Sequence, residues 1–121
     1  MKNIILILAG ILIWNSLPAQ SPQSFQYSAV VRDEDGNPLA EQEVSLRIGI
    51  RDSAANGPVL YRETWHVTTN TFGMVNLAVG NGTVVSGEFA YIHWGEGLKF
   101  LEIEIDPEGG ENFHWMGTTQ L

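Results

Sequence analysis

The sequence predicts an all-β domain built as a two-sheet antiparallel sandwich. Two observations indicate strands: apolar residues alternate at period two along several segments, and turn-forming residues separate these segments at intervals of roughly 10 to 15 residues. A third observation excludes a helical domain, because no long stretch after the first 19 residues has a period of 3.6. Strands with one apolar face must therefore bury it against one another.

The N-terminal segment predicts a signal-peptide helix over residues 1–19, with cleavage after Ala19. One cation, Lys2, precedes the apolar run from Ile4 to Trp14, which is shorter than the roughly 20 residues that cross a bilayer. A buried N-terminal helix is the disfavoured alternative, since the run has no polar face. We expect the sandwich domain to occupy residues 20–121 and the protein to be secreted or held at the cell surface.

The first half of the domain contains the clearest strand. Residues 25–31 alternate as a first strand, and the glycine and proline of residues 33–38 predict a reversal. Residues 44–51 alternate most regularly, which places Arg47 and Arg51 on a face directed to water. Residues 59–69 follow as a third strand.

The second half predicts a hairpin and a crossover. Residues 70–73 have the length and glycine of a hairpin connection, so we expect the strand at 75–79 to return beside the third strand. Residues 86–97 are expected to cross over irregularly and to pack Phe89, Ile92 and Trp94 on the core.

The last two predicted strands are residues 101–106 and 112–121. The first has an apolar face and an acidic face formed by Glu102, Glu104 and Asp106, which we interpret as solvated. The second ends at Leu121 without a turn signal. The domain is therefore predicted to be truncated at its C-terminal end and to leave an open strand edge.

Charge and cysteine content exclude several classes of function. The formal charge is −8, and removal of Lys2 with the signal peptide makes it −9, so nucleic acid and anionic membrane surfaces are not expected partners. No membrane contact is expected after cleavage. With no cysteine there is no disulfide, thiol nucleophile or thiolate metal site.

No residue pattern predicts an enzyme or a cofactor. His66, His93 and His114 are scattered without metal-ligand spacing, and no nucleophile elbow is present. We therefore expect neither catalytic residues nor a bound cofactor.

One loop has the oxygen-ligand spacing of a calcium site. Asp33, Asp35 and Asn37 alternate around a glycine, as oxygen ligands of calcium do. The closing glutamate of a twelve-residue calcium loop is missing, and such sequences are common in plain reversals. We favour a reversal without metal.

Three tryptophans give the alternative function. Trp65, Trp94 and Trp115 would form a platform for a polysaccharide if they were exposed together, because aromatic faces stack on sugar rings. Burial in the core is the favoured interpretation for such large side chains in a small sandwich.

Several strings of residues resemble a known family. They are residues 25–33 (FQYSAVVRD), 36–39 (GNPL), 69–70 with Gly73, 80–83 (GNGT), Phe89 with Ile92 and Trp94, and 104–107 (EIDP) leading to 116–121 (MGTTQL). Together they resemble the N-terminal module of secreted and cell-surface Bacteroidetes-type proteins, which precedes collagen-like, tail-fibre-like or repetitive segments.

The resemblance implies an immunoglobulin- or prealbumin-like sandwich used as a building block outside the cell, and it supplies no catalytic residues. Members usually continue beyond the final motif. We therefore expect a non-catalytic structural or adhesion module, with a carbohydrate-binding module as the alternative. Its expected partners are downstream segments of the parent protein or another surface protein, held by strand-edge pairing.

Overall fold

The computed structural model describes residues 24–121, and the predicted signal peptide lies outside this range. The described chain folds into seven strands and one short 3-10 helix, Phe89–Tyr91. The strands are β1 (Phe25–Val30), β2 (Glu43–Asp52), β3 (Val59–Thr68), β4 (Met74–Val79), β5 (Thr83–Ser86), β6 (Lys99–Asp106) and β7 (His114–Gln120). They form two antiparallel sheets, which confirms the predicted sandwich.

The two sheets differ in size. The large sheet has the order β5-β3-β2-β6-β7, and the small sheet contains only β1 and β4. The large sheet therefore has an inner face, directed to the small sheet and the core, and an outer face on the opposite side. These two names are used below.

The core lies between the sheets and is built from the alternating residues of the strands. β2 contributes most, since it is the central strand and its apolar side chains are almost completely buried. The buried apolar residues are Val31, Val44, Leu46, Ile48, Ile50, Tyr61, Val75, Leu77, Val79, Phe89, Ile92, Leu101 and Ile103. Phe89 and Ile92 belong to the predicted crossover, so its packing on the core is confirmed.

The predicted hairpin between the third and fourth strands is wrong. β3 pairs with β2 and β5, whereas β4 pairs with β1 in the other sheet. The connection at residues 70–73 is a tight turn. In it, Asn70 Oδ1 accepts hydrogen bonds from the backbone N–H groups of Phe72 and Met74, both at 2.9 Å. It carries the chain across the core. Alternation fails to distinguish the two cases because successive strands direct apolar residues to one core in both.

β5 is a strand that the sequence did not predict. Its four residues, Thr83–Ser86 (TVVS), are all exposed in the structure. The sequence does not alternate between apolar and polar residues, which is why periodicity did not predict this strand. The strand pairs with the edge of β3 that is not bonded to β2. The register of this pair shifts between Arg62 and Glu63.

Candidate functional site

The outer face of the large sheet carries a network of ion pairs. Arg47 on β2 forms a bidentate pair with Glu104 on β6, with N–O distances of 2.9 and 2.7 Å. Arg51 pairs in the same way with Glu102, at 3.0 and 3.2 Å. Arg62 on β3 lies 3.6 Å from a carboxylate oxygen of Glu102. The network joins the three central strands of the sheet.

These contacts change the proton affinity of the paired groups. Hydrogen bonding to the Arg47 guanidinium lowers the pKa of Glu104 below its ordinary value, and the same bond raises the pKa of Arg47. Glu102 is buried, and Glu104 keeps only 15% of its side chain exposed. The prediction of a solvated acidic face is therefore wrong, because Glu102 is buried and both carboxylates are paired with arginines. The arginines lie on the face directed to solvent, as predicted, with 30% of the Arg47 and 20% of the Arg51 side chain exposed.

Asp106, the third acidic residue of this strand, organises a turn instead. Its carboxylate accepts the backbone N–H groups of Glu108 and Asn112, both at 3.0 Å. These bonds favour the charged form and lower the pKa of Asp106. The interpretation as a solvated side chain is wrong here too, since Asp106 is buried.

Trp115 is an exposed large apolar side chain of this face. It opposes Glu104 across the β6–β7 pair and is 66% exposed. Its indole N–H donates to the hydroxyl oxygen of Thr118 at 2.9 Å. Beside it a groove of about 550 Å³ opens, lined by Arg51, Ala55, Asn56, Glu102, Trp115 and Thr118.

The structure does not bring the three candidate tryptophans together. Trp65 and Trp94 pack against the core, where Trp94 meets Phe25 edge-on with ring centroids 5.9 Å apart. Trp115 lies on the outer face. A shared platform of these three rings is therefore not present.

The inner face contains a buried carboxylate that sequence analysis did not single out. Glu63 on β3 is fully buried and accepts hydrogen bonds from three neutral donors. The Tyr61 hydroxyl lies at 2.6 Å and the Gly80 backbone N–H at 2.8 Å, and the Trp65 indole N–H is the third donor. Burial and the bond to Glu63 raise the pKa of Tyr61. Glu63 thereby fixes the turn after β4 to β3.

The candidate calcium residues lie in a compact reversal. One carboxylate oxygen of Asp33 accepts the backbone N–H groups of Asp35 and Asn37, both at 2.9 Å. The turn residue Gly36 has a φ of +85°, which glycine adopts without strain. Asp33 therefore acts as the hydrogen-bond acceptor that shapes the turn. Among residues 24–121, no group of three or more acidic, histidine or cysteine side chains is placed to hold a metal ion.

One serine and one histidine meet on the outer face. The Ser45 hydroxyl lies 3.2 Å from Nδ1 of His66. Asp106 opposes Ser45 across the β2–β6 pair, but its carboxylate serves the turn described above. His93 and His114 are exposed in other parts of the fold.

β7 leaves one edge of the large sheet open within the described residues. It pairs with β6 alone, and it contains no proline and no acidic, lysine or arginine residue. The Leu121 N–H bonds to the Lys99 carbonyl oxygen at 2.8 Å. Because antiparallel bonding alternates along a strand, Thr118 and Gln120 direct their backbone N–H and C=O groups away from β6.

Sequence analysis missed two kinds of functional residue. The opposed charges of β2 and β6 are visible only once the register places Arg47 beside Glu104. Glu63 left a signal, since it shares an otherwise apolar strand face with Tyr61 and Trp65. A charged residue on such a face indicates a satisfied buried group.

A family comparison covers most of this fold. Residues 26–118 match the model of DUF8740, described as a domain of unknown function. The chain belongs to the DUF8740 family. The match extends from β1 to β7, so the family domain corresponds to the sandwich. No curated protein and no solved structure matches the chain. No helix in residues 24–121 is long and apolar enough to cross a membrane.

Proposed function

We propose that this protein is a non-catalytic module, secreted or attached to the cell surface, with a structural or adhesion role. It joins downstream segments of its parent protein or another surface protein by adding a strand to β7. The proposal includes an immunoglobulin- or prealbumin-like relationship of the sandwich, which the sequence resemblance implies.

The open edge of β7 is the observation that carries the proposal. Natural sheets block exposed edges with charges, prolines, bulges or very short strands, and of these devices the seven residues His114–Gln120 have only a bulge. A bulge at Met116 interrupts the first half of the strand. The second half is regular, and the outward groups of Thr118 and Gln120 suit an added strand.

The use of the acidic side chains supports a structural role. Glu63, Asp33 and Asp106 hold turns, while Glu102 and Glu104 hold the sheet through arginines. A catalytic acid or base must have an oxygen that can contact the substrate. Because all five carboxylates are bonded to groups of the protein itself, their arrangement favours a structural role.

The test of strand addition uses a second copy of the chain as the donor strand. In sedimentation experiments on the protein from Gln20 onward, we expect reversible dimers. Gln120→Pro removes an outward N–H without removing a bond to β6, so it should weaken association about tenfold or more, because two such bonds are lost per symmetric dimer. Gln120→Ala, which keeps the N–H, is the matched control. Wild-type protein that stays monomeric at about 1 mM would contradict edge pairing, since even millimolar affinity would be detected.

Export has its own test. The intact mass of the protein recovered from outside the cell should correspond to a chain that begins at Gln20. Recovery of the uncleaved chain beginning at Met1 would contradict the proposed signal peptide.

A further inference from the structure

We propose that the groove beside Trp115, called here the Trp115 groove, binds one pyranose unit of a neutral polysaccharide. This site lies on the outer face of the large sheet, and it uses the side chains of Trp115 and Thr118, whereas strand addition uses the backbone groups of Thr118 and Gln120. It requires one exposed tryptophan together with fixed polar groups. Its volume of about 550 Å³ lies within the range of small-molecule sites.

The β7 bulge places Trp115 in this groove. The register passes from Ile103 opposite Gly117 to Glu104 opposite Trp115, so Met116 is the extra residue. Met116 packs against the core while Trp115 stands on the outer face. The bulge thus directs Trp115 to the outer face, whereas unbroken alternation from Gly117 would direct it to the inner face.

The indole ring is held before any ligand arrives. Its N–H donates to Thr118 Oγ1 at 2.9 Å, yet the side chain is 66% exposed. A ring fixed by its own hydrogen bond loses little conformational entropy on binding. Its exposed apolar surface suits the apolar face of a sugar ring, which gains by stacking.

Polar groups with spare capacity surround the ring. Arg51 donates from Nε and Nη2 to Glu102 and from Nη1 to the Gly57 carbonyl oxygen, which leaves two of its five N–H donors for a ligand. The Thr118 hydroxyl accepts from Trp115 and keeps its own proton to donate. Sugar hydroxyls both donate and accept, so they match this set.

Local charge selects a neutral ligand. Arg51 and Glu102, the two charged residues that line the groove, are bidentate partners, so the lining itself carries no net charge. The whole chain carries −8, which disfavours the approach of an anionic polysaccharide. A neutral polyhydroxyl chain avoids this repulsion and still uses the oriented donors.

The experiment titrates the protein from Gln20 onward with cellohexaose, xylohexaose, mannohexaose and maltohexaose, and with a polygalacturonate oligomer as the anionic probe. The readout is the NMR signal of the Trp115 indole N–H, assigned from its loss in Trp115→Ala. We expect at least one neutral oligosaccharide to shift this signal with a Kd on the order of millimolar, as one small subsite allows.

Variants separate the groove from other exposed aromatic residues. Binding by the variants is followed from the backbone amide signals of Ala55 and Asn56, which also line the groove, because Trp115→Ala has no indole signal at this position. Trp115→Ala should weaken binding at least tenfold, whereas Tyr91→Ala removes a similarly exposed ring, 73% accessible, and should leave it unchanged. Thr118→Val removes the acceptor that orients the indole and should weaken binding severalfold. Unchanged thermal unfolding of all three variants is the control for folding.

Four outcomes overturn the inference. The first is no shift with any neutral probe at about 10 mM, well above the expected Kd. The second is equal binding by wild type and Trp115→Ala, and the third is a response to the anionic probe alone. A shift that follows protein concentration without sugar, and that persists in Gln120→Pro where edge pairing is weakened, would assign the groove to self-association and also overturn it. Gln120→Pro tests edge pairing separately, so either proposal can fail alone.

Discussion

The two faces of the large sheet accommodate carboxylates in opposite ways. On the inner face Glu63 is fully buried and is bonded only to neutral donors. On the outer face Glu104 keeps 15% of its side chain exposed and is paired with the cationic Arg47 at 2.7 Å. Both are glutamates of the same sheet. Hydrogen bonds from neutral N–H and O–H groups stabilise Glu63, whereas an ion pair with arginine stabilises Glu104.

This difference indicates what each face contributes to the fold. A charge removed from water is costly unless hydrogen bonds replace the lost solvation, so the three donors around Glu63 are indispensable to it. The outer pairs remain near solvent, where salt and water weaken the attraction. We therefore expect mutations to be severe on the inner face and mild on the outer one.

The largest expected effect follows from removing the buried carboxylate. Glu63→Ala leaves the Tyr61 hydroxyl, the Trp65 indole N–H and the Gly80 N–H without their acceptor and opens a cavity. We expect the free energy of unfolding to fall by about 3 to 5 kcal/mol. Chemical denaturation monitored by circular dichroism measures this loss.

Glu63→Gln is the matched control for that prediction. Its single amide oxygen can still accept from Tyr61 and Gly80, while its NH₂ group faces the Trp65 donor. The loss should be smaller, about 1 to 2 kcal/mol. Equal stability of wild type and Glu63→Ala would show that the inner carboxylate has no structural role.

A smaller effect is expected where the chain passes over this carboxylate. A Cβ atom at Gly82 would lie 2.6 Å from the Trp65 indole nitrogen and 2.9 Å from Glu63. Gly82→Ala should therefore lower the free energy of unfolding by about 1 to 3 kcal/mol through crowding. Gly95→Ala is the control, since nothing lies within 4 Å of its added Cβ. If both variants unfold at the same denaturant concentration, the close approach at Gly82 is unimportant.

The same contrast shows what the sequence could predict. Alternation of Val44, Leu46, Ile48 and Ile50 correctly predicts a strand with an apolar face, because only local spacing is required. The pairing of β4 with β1 depends on which sheet each strand joins, and local spacing is the same in both arrangements. This is why the predicted hairpin failed while the sandwich was confirmed.

The candidate sites divide in a similar way. The exposed position of Trp115 depends on a bulge, which shifts the face of a residue relative to simple alternation. The ion pairs depend on a register between strands about 50 residues apart in the chain, such as Arg51 and Glu102 at a separation of 51. Local turns need no such information, and the reversal at Asp33 was predicted from its own residues.

The smallest expected effect concerns the outer face and its pH dependence. Arg47 lowers the pKa of Glu104 in the folded protein, so this carboxylate stabilises the fold above its unfolded pKa of about 4.3. The stabilisation is lost as the pH falls through the lowered folded pKa. Glu104→Gln should lower the free energy of unfolding by about 1 kcal/mol at pH 7.

The shape of the pH profile distinguishes this pair from a general acid effect. Below about pH 4 the unfolding free energies of the wild type and Glu104→Gln should converge. Protonation then removes the negative charge of Glu104 from the wild type, and the substitution has already removed it from the variant. Glu34→Gln, a change at an exposed residue of the reversal, should follow the wild type throughout. Added salt at about 1 M should shrink the difference at pH 7 by screening the pair. Parallel wild-type and Glu104→Gln profiles from pH 7 to pH 3 would instead show that the Arg47 pair contributes no proton-linked stability, and the contrast between the two faces would then rest on Glu63 alone.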